Sequence, residues 1–397
     1  MDPLLKKKFQ KQLESIEKIA EQKNEEIEQA NHDKYIYLYD LLVEFLKTQD
    51  ILMYGGYAIH LLLKESIYKP YELPDIDVFC SQTPKLLKKL IAFYKKKGIT
   101  VISAKEALHE NTYKVYSEGL QILDITQVSK KDYQLLKKSS VSTSLGISTV
   151  SIHMLKYTLH LLSGTSYNAY RWTKVYERML KLYEAYPIQE KCTFKLTDYY
   201  SSLPASVDTF IQHFIHKEEL PSFGWDTVGM YLEKDRYYQK LLKTISGSPI
   251  RYVMYNGSIQ VLAKLFLTEI KDPDVQISEI YEGDFFLPPY IALSYKRDKC
   301  VYLFETNTCL STIDLTEKHL SIHSIITMFY AMYFSSQSKD LLCVLQLLSG
   351  QWLDRLLSKE KLFENFILTC YGKHEGIFTL RRHRELRQNK NKNIFKK

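Results

Sequence analysis

The sequence predicts an α/β (α+β) protein in which mixed sheets are flanked by helices. Short apolar runs alternate with helical periods over residues 51–128, and strand texture returns between residues 251 and 314. The stretch MYGGYAIHLL, which begins at Met53, has a counterpart in MYNGSIQVLA, which begins at Met254. Each reads as a strand, a turn of small residues and an apolar helix. The pair favours a duplicated fold with two α/β regions.

Length and composition indicate a soluble globular protein with two or three domains. The chain has 397 residues, of which 45% are hydrophobic and 25% charged, and 54 Lys and Arg against 46 acids give a net charge of +8. The six cysteines form no CxxC pair, which predicts reduced thiols in an intracellular protein and no zinc site. No apolar run reaches the roughly 18 residues of a membrane span, so no membrane segment is predicted.

Four regions are predicted along the chain. They are N-terminal helices over 1–50, a first α/β domain with its following helices over 51–186, a second α/β domain with C-terminal helices over 187–380, and a basic tail over 381–397. Residues 4–30 show a helical period with alternating charge, typical of a solvated surface or, alternatively, of a partner-binding helix. A second helix is predicted over 35–47, and the polar stretch 139–149 is predicted to be a loop.

Two glycines mark the turn where the first predicted strand meets its helix. Gly55 and Gly56 are adjacent in a chain that has only 14 glycines. Glycine permits a positive φ and a close approach of the backbone, and the free N–H groups at a helix start form an anion site. The turn therefore has either a purely structural role or a role in holding phosphate.

Three aspartates follow this turn. Asp75 and Asp77 are two residues apart at the start of a strand, so their carboxylates share a face. Two like charges this close repel each other unless a cation lies between them, and carboxylate oxygens suit Mg²⁺. Asp124 lies in the apolar strand GLQILDITQV, where alternation predicts that it and Gln121 face opposite ways; a charge there is costly unless it is paired or metal-bound. The alternatives are a solvated strand end and a hydrogen-bonded edge aspartate.

Together, the turn and the three carboxylates predict a two-metal site for phosphoryl transfer. The order GG, then DID with apolar residues, then a strand aspartate resembles the nucleotidyltransferase superfamily that includes DNA polymerase β. Within it, the chain resembles the poly(A) polymerase catalytic subunits of large DNA viruses (poxvirus, African swine fever virus and mimivirus-like groups). The motif match covers residues 51–128. Tyr57 stands where the superfamily usually has serine, and the gap from Gly56 to Asp75 is longer than usual.

The resemblance implies a nucleotidyltransferase fold with a second, degenerate nucleotidyltransferase-like domain. It implies template-independent polyadenylation, in which AMP from ATP is added to the 3′ end of mRNA with two Mg²⁺ (or Mn²⁺) ions. It implies metal binding by Asp75, Asp77 and Asp124, with nucleotide binding by Gly55, Gly56 and Tyr57. It also implies an RNA 3′ end as partner, a homodimer or a viral processivity subunit, and a location in the host cytoplasm or the virion.

The second copy is predicted to be inactive. Its turn, Asn256-Gly257-Ser258, is followed by Asp272-Pro273-Asp274, and proline interrupts a strand. This acidic pair is therefore predicted to lie in a loop, and the later strand YIALSYK carries no acid in its middle.

Basic residues after the carboxylates are candidates for phosphate binding. Arg171, Lys174 and Arg178 are spaced three and four apart, and Lys156 lies on the preceding predicted helix. These four are predicted to bind the triphosphate or RNA phosphates, with a surface stripe of no role as the alternative.

The tail and a few aromatic residues are candidates for RNA binding. The tail arginines predicted to attract phosphate backbones are Arg381, Arg382, Arg384 and Arg387. A disordered solubilising end and an import signal are the alternatives. Tyr167, Tyr170 and Trp172 are candidates for base stacking.

Two other classes of function remain open from the sequence. One is another terminal nucleotidyltransferase, which would use UTP or mixed nucleotides or make 2′–5′ oligoadenylate. The other is a non-catalytic RNA-binding or processivity subunit, against which the joint presence of three aspartates argues. A phosphatase or nuclease is disfavoured, because no histidine is adjacent to the aspartates.

Overall fold

The computed structural model describes residues 3–63, 65–68, 73–192, 195–306, 308–372 and 377–394. The chain divides into two compact units, one of residues up to 151 together with those from 380 onward, and the other of residues 152–379. The division differs from the predicted boundary at 186, because the helices expected to close the first domain pack within the second unit. The basic tail groups with the first unit instead of standing apart.

The first unit contains one long helix and a seven-stranded sheet with short helices. Its elements are α1 (Pro3–Leu46), β1 (Leu52–Tyr54), α2 (Gly55–Leu62), β2 (Ile76–Cys80), α3 (Thr83–Lys96), β3 (Ile102–Glu106), β4 (Thr112–Ser117), β5 (Leu120–Gln127), α4 (Lys130–Lys138), β6 (Val141–Ser142) and β7 (Ser148–Thr149).

The second unit contains a four-stranded sheet, smaller sheets and several helices. Its elements are α5 (Ile152–Ser163), α6 (Trp172–Ala185), β8 (Tyr200–Ser201), α7 (Ala205–Lys217), α8 (Trp225–Tyr231), α9 (Arg236–Leu242), β9 (Ser248–Pro249), β10 (Arg251–Tyr255), α10 (Ile259–Ile270), β11 (Val275–Tyr281), β12 (Tyr290–Tyr295), β13 (Asp298–Glu305), β14 (Leu310–Asp314), β15 (Lys318–Leu320), α11 (Ile322–Ser336), α12 (Lys339–Asp354) and β16 (Cys370–Tyr371). The last helix, α13 (Ile377–Ile394), lies mainly in the first unit.

The first sheet is mixed, as predicted. Its strand order is β3-β4-β5-β2-β1-β7-β6, with β2 parallel to β5 and antiparallel to β1. The predicted loop over 139–149 is wrong in part, because β6 and β7 form a hairpin there and β7 pairs with β1. The main-chain pairing of these two-residue strands leaves no periodic pattern in the sequence.

A single helix, α1, replaces the two helices predicted for the N-terminal region. Residues 31–34 contain neither glycine nor proline, so nothing ends the helix there. Its C-terminal part packs into the first unit through Leu38 and Leu42, which are fully buried. Leu13 and Ile16, which belong to the apolar period of its N-terminal part, are exposed, so a solvated surface and a partner-binding helix both stay predictions for this segment.

The four-stranded sheet of the second unit has the order β10-β13-β12-β11. The strand–turn–helix unit recurs as β10 and α10, but β10 pairs parallel with β13, whereas β1 pairs antiparallel with the next strand, β2. The duplicated fold therefore stays a prediction beyond this local unit. Asp272 and Asp274 lie in the turn before the edge strand β11, which agrees with the predicted loop.

Four of the six cysteines are paired, which corrects the prediction of reduced thiols. Cys192 pairs with Cys343 and Cys309 with Cys370, with Cα–Cα distances of 5.4 and 5.3 Å. The partners are 151 and 61 residues apart, so no spacing in the sequence indicates them. No helix among the described residues combines the length and apolar character needed to cross a membrane.

A buried polar cluster joins helices α5, α6 and α11 in the second unit. His160 Nδ1 lies 3.0 Å from His323 Nδ1, and His160 Nε2 lies 2.9 Å from the Tyr183 hydroxyl. His323 Nε2 lies 2.8 Å from the Tyr176 hydroxyl. Burial lowers the pKa of both imidazoles, that of His323 to about 4. Both rings are therefore neutral in the folded protein at neutral pH.

This cluster predicts that the protein loses stability in mild acid. The folded-state pKa of His323 lies below its unfolded value, so protons favour the unfolded chain as the pH falls from about 6.5 toward 4. Between pH 7.5 and 5.5 we expect His323 alone to reduce the free energy of unfolding by about 1 kcal/mol. Urea unfolding at both pH values measures this loss, which His323→Gln should diminish and His213→Gln, at an exposed site, should not. A loss of equal size in His323→Gln would contradict the prediction.

Candidate active site

Two of the predicted aspartates lie side by side in the first sheet. Strands β2 and β5 are parallel, and Asp77 is the register partner of Asp124. Register partners on adjacent strands share a face of the sheet, so both carboxylates project from one side. Asp75 precedes β2 by one residue, and its charge acts on the Asp124 carboxyl. The structure therefore places Asp77 and Asp124 side by side, with Asp75 near enough for its charge to act on Asp124.

A β-bulge changes the predicted faces of β5. The register with β4 shifts after Val115, so that Ile122 is the extra residue between Gln121 and Leu123. Gln121 therefore shares the side of Asp124 and donates a hydrogen bond of 3.0 Å from Nε2 to Asp124 Oδ1. Strict alternation had placed these two side chains on opposite faces, and that prediction is wrong. The strand is also interior to the sheet, so Asp124 is not an edge residue.

Lys114 on β4 engages the same carboxylate. Its Nζ lies 3.2 Å from Asp124 Oδ2 and donates a 3.0 Å hydrogen bond to Gln121 Oε1. Burial raises the pKa of Asp124, the Lys114 charge opposes this shift, and the charge of Asp75 adds to it. The sequence prediction missed Lys114, because it becomes the partner of Asp124 only through the β4–β5 pairing.

The glycine turn lies against the Asp77 carboxylate. Gly55 has φ = +72°, and a Cβ at this position would lie 3.1 Å from Asp77 Cγ and closer still to Oδ2. Only glycine accommodates both the backbone conformation and this close approach. The helix α2 begins at Gly55 itself, with no side-chain cap at Tyr54. Its first N–H groups, at Gly55, Gly56 and Tyr57, therefore lie next to the aspartates, where an anion site is expected.

Two tyrosines hold the segments around the site in place, and the sequence prediction missed both. The Tyr39 hydroxyl of α1 donates a hydrogen bond to the Pro74 carbonyl, which fixes the segment that carries Asp75. Tyr54 stacks on Phe79 with a centroid distance of 4.0 Å. Burial, followed by the charges of nearby aspartates, raises the pKa of both phenols above the ordinary value. Both hydroxyls therefore stay protonated beside the carboxylates.

The donor set fits a divalent cation, although the side chains are not arranged around one. Among the described residues, no group of three or more Asp, Glu, His or Cys side chains is placed to hold a metal ion. Asp124 faces the Lys114 amine instead. Asp77 and Asp124 nevertheless present oxygens, the ligands that Mg²⁺ prefers, on one face. The metal-binding role of the aspartates stays a prediction.

Two of the four predicted phosphate-binding residues are buried, which corrects their assignment. Lys156 is fully buried, donates to the Tyr186 carbonyl and lies 4.1 Å from the centroid of the Tyr183 ring. Arg178 is 9% exposed within α6. Buried inside the helical part of the second unit, neither side chain is available to a phosphate group. Arg171 and Lys174, at the start of the same helix, are exposed.

The predicted RNA-binding residues of the tail and the candidates for base stacking also include both exposed residues and residues that are buried or paired. The tail is helical through residue 394 in the described range, which argues against a disordered end. Arg387 Nε lies 2.6 Å from Glu106 Oε1, so this arginine is structural, while Arg381 and Arg382 are exposed and Arg384 is half-buried. Trp172 is buried and donates its indole N–H to the Leu162 carbonyl at 3.1 Å. Of the stacking candidates, Tyr170 is 84% exposed and Tyr167 is 38% exposed.

Comparison with known proteins gives a match over the region that contains this site. Residues 40–162 match the model of the family described as Poly(A) polymerase catalytic subunit. The match covers about a third of the chain. It contains the glycine turn, all three aspartates and Lys114, so the matched segment coincides with the candidate active site.

Two individual proteins extend the likeness. The chain is 25% identical over 158 residues to the "Putative poly(A) polymerase catalytic subunit" of Acanthamoeba polyphaga mimivirus, and the match spans 38% of this chain and 26% of that protein. The chain therefore matches about a quarter of the mimivirus protein's length. Its fold is similar to that in the "Crystal structure of the Megavirus polyadenylate synthase", with a TM-score of 0.75, 19% identity, and coverage of 98% of this chain and 84% of that one. The α/β fold class and the predicted resemblance are confirmed.

Proposed function

We propose that this protein is a polynucleotide adenylyltransferase that transfers AMP from ATP to the 3′-hydroxyl of RNA, repeatedly and without a template. One observation carries the proposal. Asp77 and Asp124 lie in register on adjacent parallel strands, against the Gly55 turn, within the segment that matches the poly(A) polymerase family. Carboxylates beside a phosphate-accepting helix start are the parts that phosphoryl transfer requires.

The residues divide the reaction between them. Asp75, Asp77 and Asp124 would hold two Mg²⁺ (or Mn²⁺) ions, which when bound neutralise the triphosphate and make the hydroxyl more acidic. The N–H groups at the start of α2 hold the phosphate oxygens. Asp124 is made more basic by burial, so we assign it the proton of the RNA 3′-hydroxyl. The new bond joins O3′ to the α-phosphorus, and pyrophosphate leaves with the electrons of the broken P–O bond.

Lys114 predicts a specific metal dependence. The Lys114 amine is paired with Asp124 Oδ2, so a divalent cation must compete with this amine for the same oxygen. We expect Lys114→Met to lower the Mg²⁺ concentration for half-maximal activity about 2- to 5-fold, since a partly exposed ion pair contributes up to about 1 kcal/mol. A Mg²⁺ titration of primer extension measures this change. Lys105→Met, a matched change on β3, should leave the titration unaltered. An unchanged or weaker response to Mg²⁺ in Lys114→Met would refute the competition.

Exposed cations that we propose for contacts with RNA phosphates lie in both units. We assign Arg381 and Arg382, and Arg171 and Lys174, to phosphate contacts on the strength of their exposure. The salt dependence of RNA binding is the slope of log K against the logarithm of the salt concentration. Replacing Arg381 and Arg382 by glutamine should reduce the magnitude of this slope by up to about two.

The same proposal includes self-association or a viral processivity partner, and a site of action in the host cytoplasm or the virion. Gel filtration tests the association, and cell fractionation tests the location.

A primer-extension assay tests the proposed function. A labelled RNA primer is incubated with each nucleoside triphosphate separately, with Mg²⁺ or Mn²⁺. A ladder that forms with ATP alone is the expected result. A ladder with UTP or with all nucleotides would identify another terminal nucleotidyltransferase, and 2′–5′ linked products would identify an oligoadenylate synthase. RNA binding without any extension would instead identify a non-catalytic subunit.

A further inference from the structure

A cavity of about 390 Å³ in the second unit is lined by aromatic side chains of the four-stranded sheet. The aromatic and acidic residues of the sheet that line it are Tyr252, Tyr281, Tyr290, Tyr302, Phe304 and Glu279. Its volume lies within the range of small-molecule sites. Helices α11 and α12 also contribute to the wall.

The sheet presents a different character on each face. Along β13, Val301 and Leu303 point into an apolar core formed with α7 and α10, while Tyr302 and Phe304 point to the cavity. Strand pairing places the cavity residues in rows, because Tyr290 pairs with Phe304 on one side and with Tyr281 on the other. The strand register therefore places these aromatic side chains together on the cavity face, opposite the face that packs into the apolar core.

The tyrosine rings that line the cavity are arranged so that a planar ligand can contact their exposed faces and edges. Tyr281 and Tyr290 stack at 4.9 Å between centroids, and Tyr302 meets Tyr290 edge-on at 5.4 Å and Tyr252 at 5.1 Å. The sheet tyrosines Tyr281, Tyr290 and Tyr302 are only half-buried. Half-exposed tyrosines grouped on one sheet face stack nucleobases in RNA-binding sheets.

The carboxylate of the sheet that lines the cavity, Glu279, already has a cationic partner. Glu279 is bonded to the Lys299 amine, and the Tyr290 hydroxyl donates to Glu279 Oε1 at 2.6 Å. Lys299 thus neutralises Glu279, so this carboxylate does not need a quaternary or ammonium group as its counter-ion. A carboxylate has about four lone-pair positions, and these two partners leave room for a neutral amine donor. Among neutral planar rings, this preference fits a base that carries an exocyclic amino group.

We propose that this cavity binds one unpaired nucleobase with an exocyclic amino group, stacked against the tyrosine face and bonded through its amino group to Glu279. Adenine, cytosine and guanine meet this requirement, and uracil does not. The base belongs either to an RNA strand or to a free nucleotide. The choice of adenine as the physiological base rests on the proposed function, since a growing poly(A) strand would supply it; the base site itself does not require catalysis.

Binding measurements on the full chain test this site. Fluorescence anisotropy with labelled oligo(A) and oligo(U) of ten nucleotides should show tighter binding of oligo(A). Tyr302→Leu should weaken oligo(A) binding about 10-fold, because stacking on an aromatic ring contributes roughly 1–3 kcal/mol per base. Glu279→Gln should reduce the preference for oligo(A) over oligo(U). Tyr37→Leu, at an exposed tyrosine outside the cavity, is the matched control and should bind as the unaltered chain does. Competition by AMP would identify a free nucleotide as a sufficient ligand, and failure of AMP to compete would identify the strand; either result supports a base site.

Photo-cross-linking to the unaltered chain tests the base site without any substitution. Oligo(A) that carries 8-azidoadenosine should label a peptide between residues 279 and 304 of the unaltered chain. Labelling only elsewhere, or equal oligo(A) affinity in a folded Tyr302→Leu variant, would overturn the proposal. The catalytic proposal is judged separately by primer extension. Asp77→Asn should abolish extension yet retain the oligo(A) preference, so failure of one proposal does not imply failure of the other.

Discussion

Asp77→Asn is expected to abolish primer extension, with a loss of at least about 10³-fold in rate, because ion-mediated charge stabilisation contributes several kcal/mol to the barrier. The substitution keeps the shape of the side chain but removes the charge that a divalent cation needs. It also removes one of two like charges in register on β2 and β5, since Asp77 is the partner of Asp124. We therefore expect thermal stability to be unchanged or slightly higher. A stable, inactive variant separates a catalytic role from a structural one.

The measurement combines extension rate, thermal unfolding and RNA binding on one preparation. Asp274→Asn is the matched control, because this aspartate belongs to the acidic pair of the second unit and lies in a turn. The control should extend the primer at the rate of the unaltered chain. If Asp77→Asn produced an unchanged product ladder, the proposed two-metal site would be refuted. If Asp274→Asn were equally inactive, the second acidic pair would not be a degenerate remnant.

The parts of the site that follow local rules were predictable from the sequence. A period of two places Asp75 and Asp77 on one face, and paired glycines after an apolar run mark the turn at Gly55. These features depend on residues within a few positions of one another, so neither needs knowledge of the rest of the fold. The alternation within β5 holds from Leu123 onward and fails only at the bulge.

The parts that depend on pairing between distant segments were not predictable. Lys114 reaches Asp124 because β4 pairs antiparallel with β5, and Gln121 joins them because a bulge inserts one residue. Neither the pairing nor the bulge leaves a mark on the alternation of a single strand. Lys156 illustrates the same limit in helices. The sequence predicts that it binds phosphate, yet its amine donates to the Tyr186 carbonyl and lies over the Tyr183 ring inside the unit.

Gly55→Ala is expected to reduce extension activity about 100-fold or more, because a displacement near 1 Å at a reacting group has an effect of this size. The new Cβ would meet the Asp77 carboxylate, with 3.1 Å to Cγ and less to Oδ2. Since Asp77 is held in β2 by pairing on both sides, its side chain must turn away from the position beside Asp124. The backbone at φ = +72° adds a strain of roughly 1–2 kcal/mol for alanine.

Gly98→Ala separates the strain from the displacement. Gly98 has φ = +85°, and a Cβ there would meet no atom within 4 Å. In a urea titration, Gly98→Ala should therefore lose roughly 1–2 kcal/mol of unfolding free energy, and Gly55→Ala should lose at least as much, because its Cβ also meets Asp77. Only Gly55→Ala should lose activity, because only its Cβ touches a carboxylate of the site. Equal activity in the two variants would mean that the close approach of Gly55 to Asp77 has no catalytic purpose, and that glycine is required at this turn for the backbone alone.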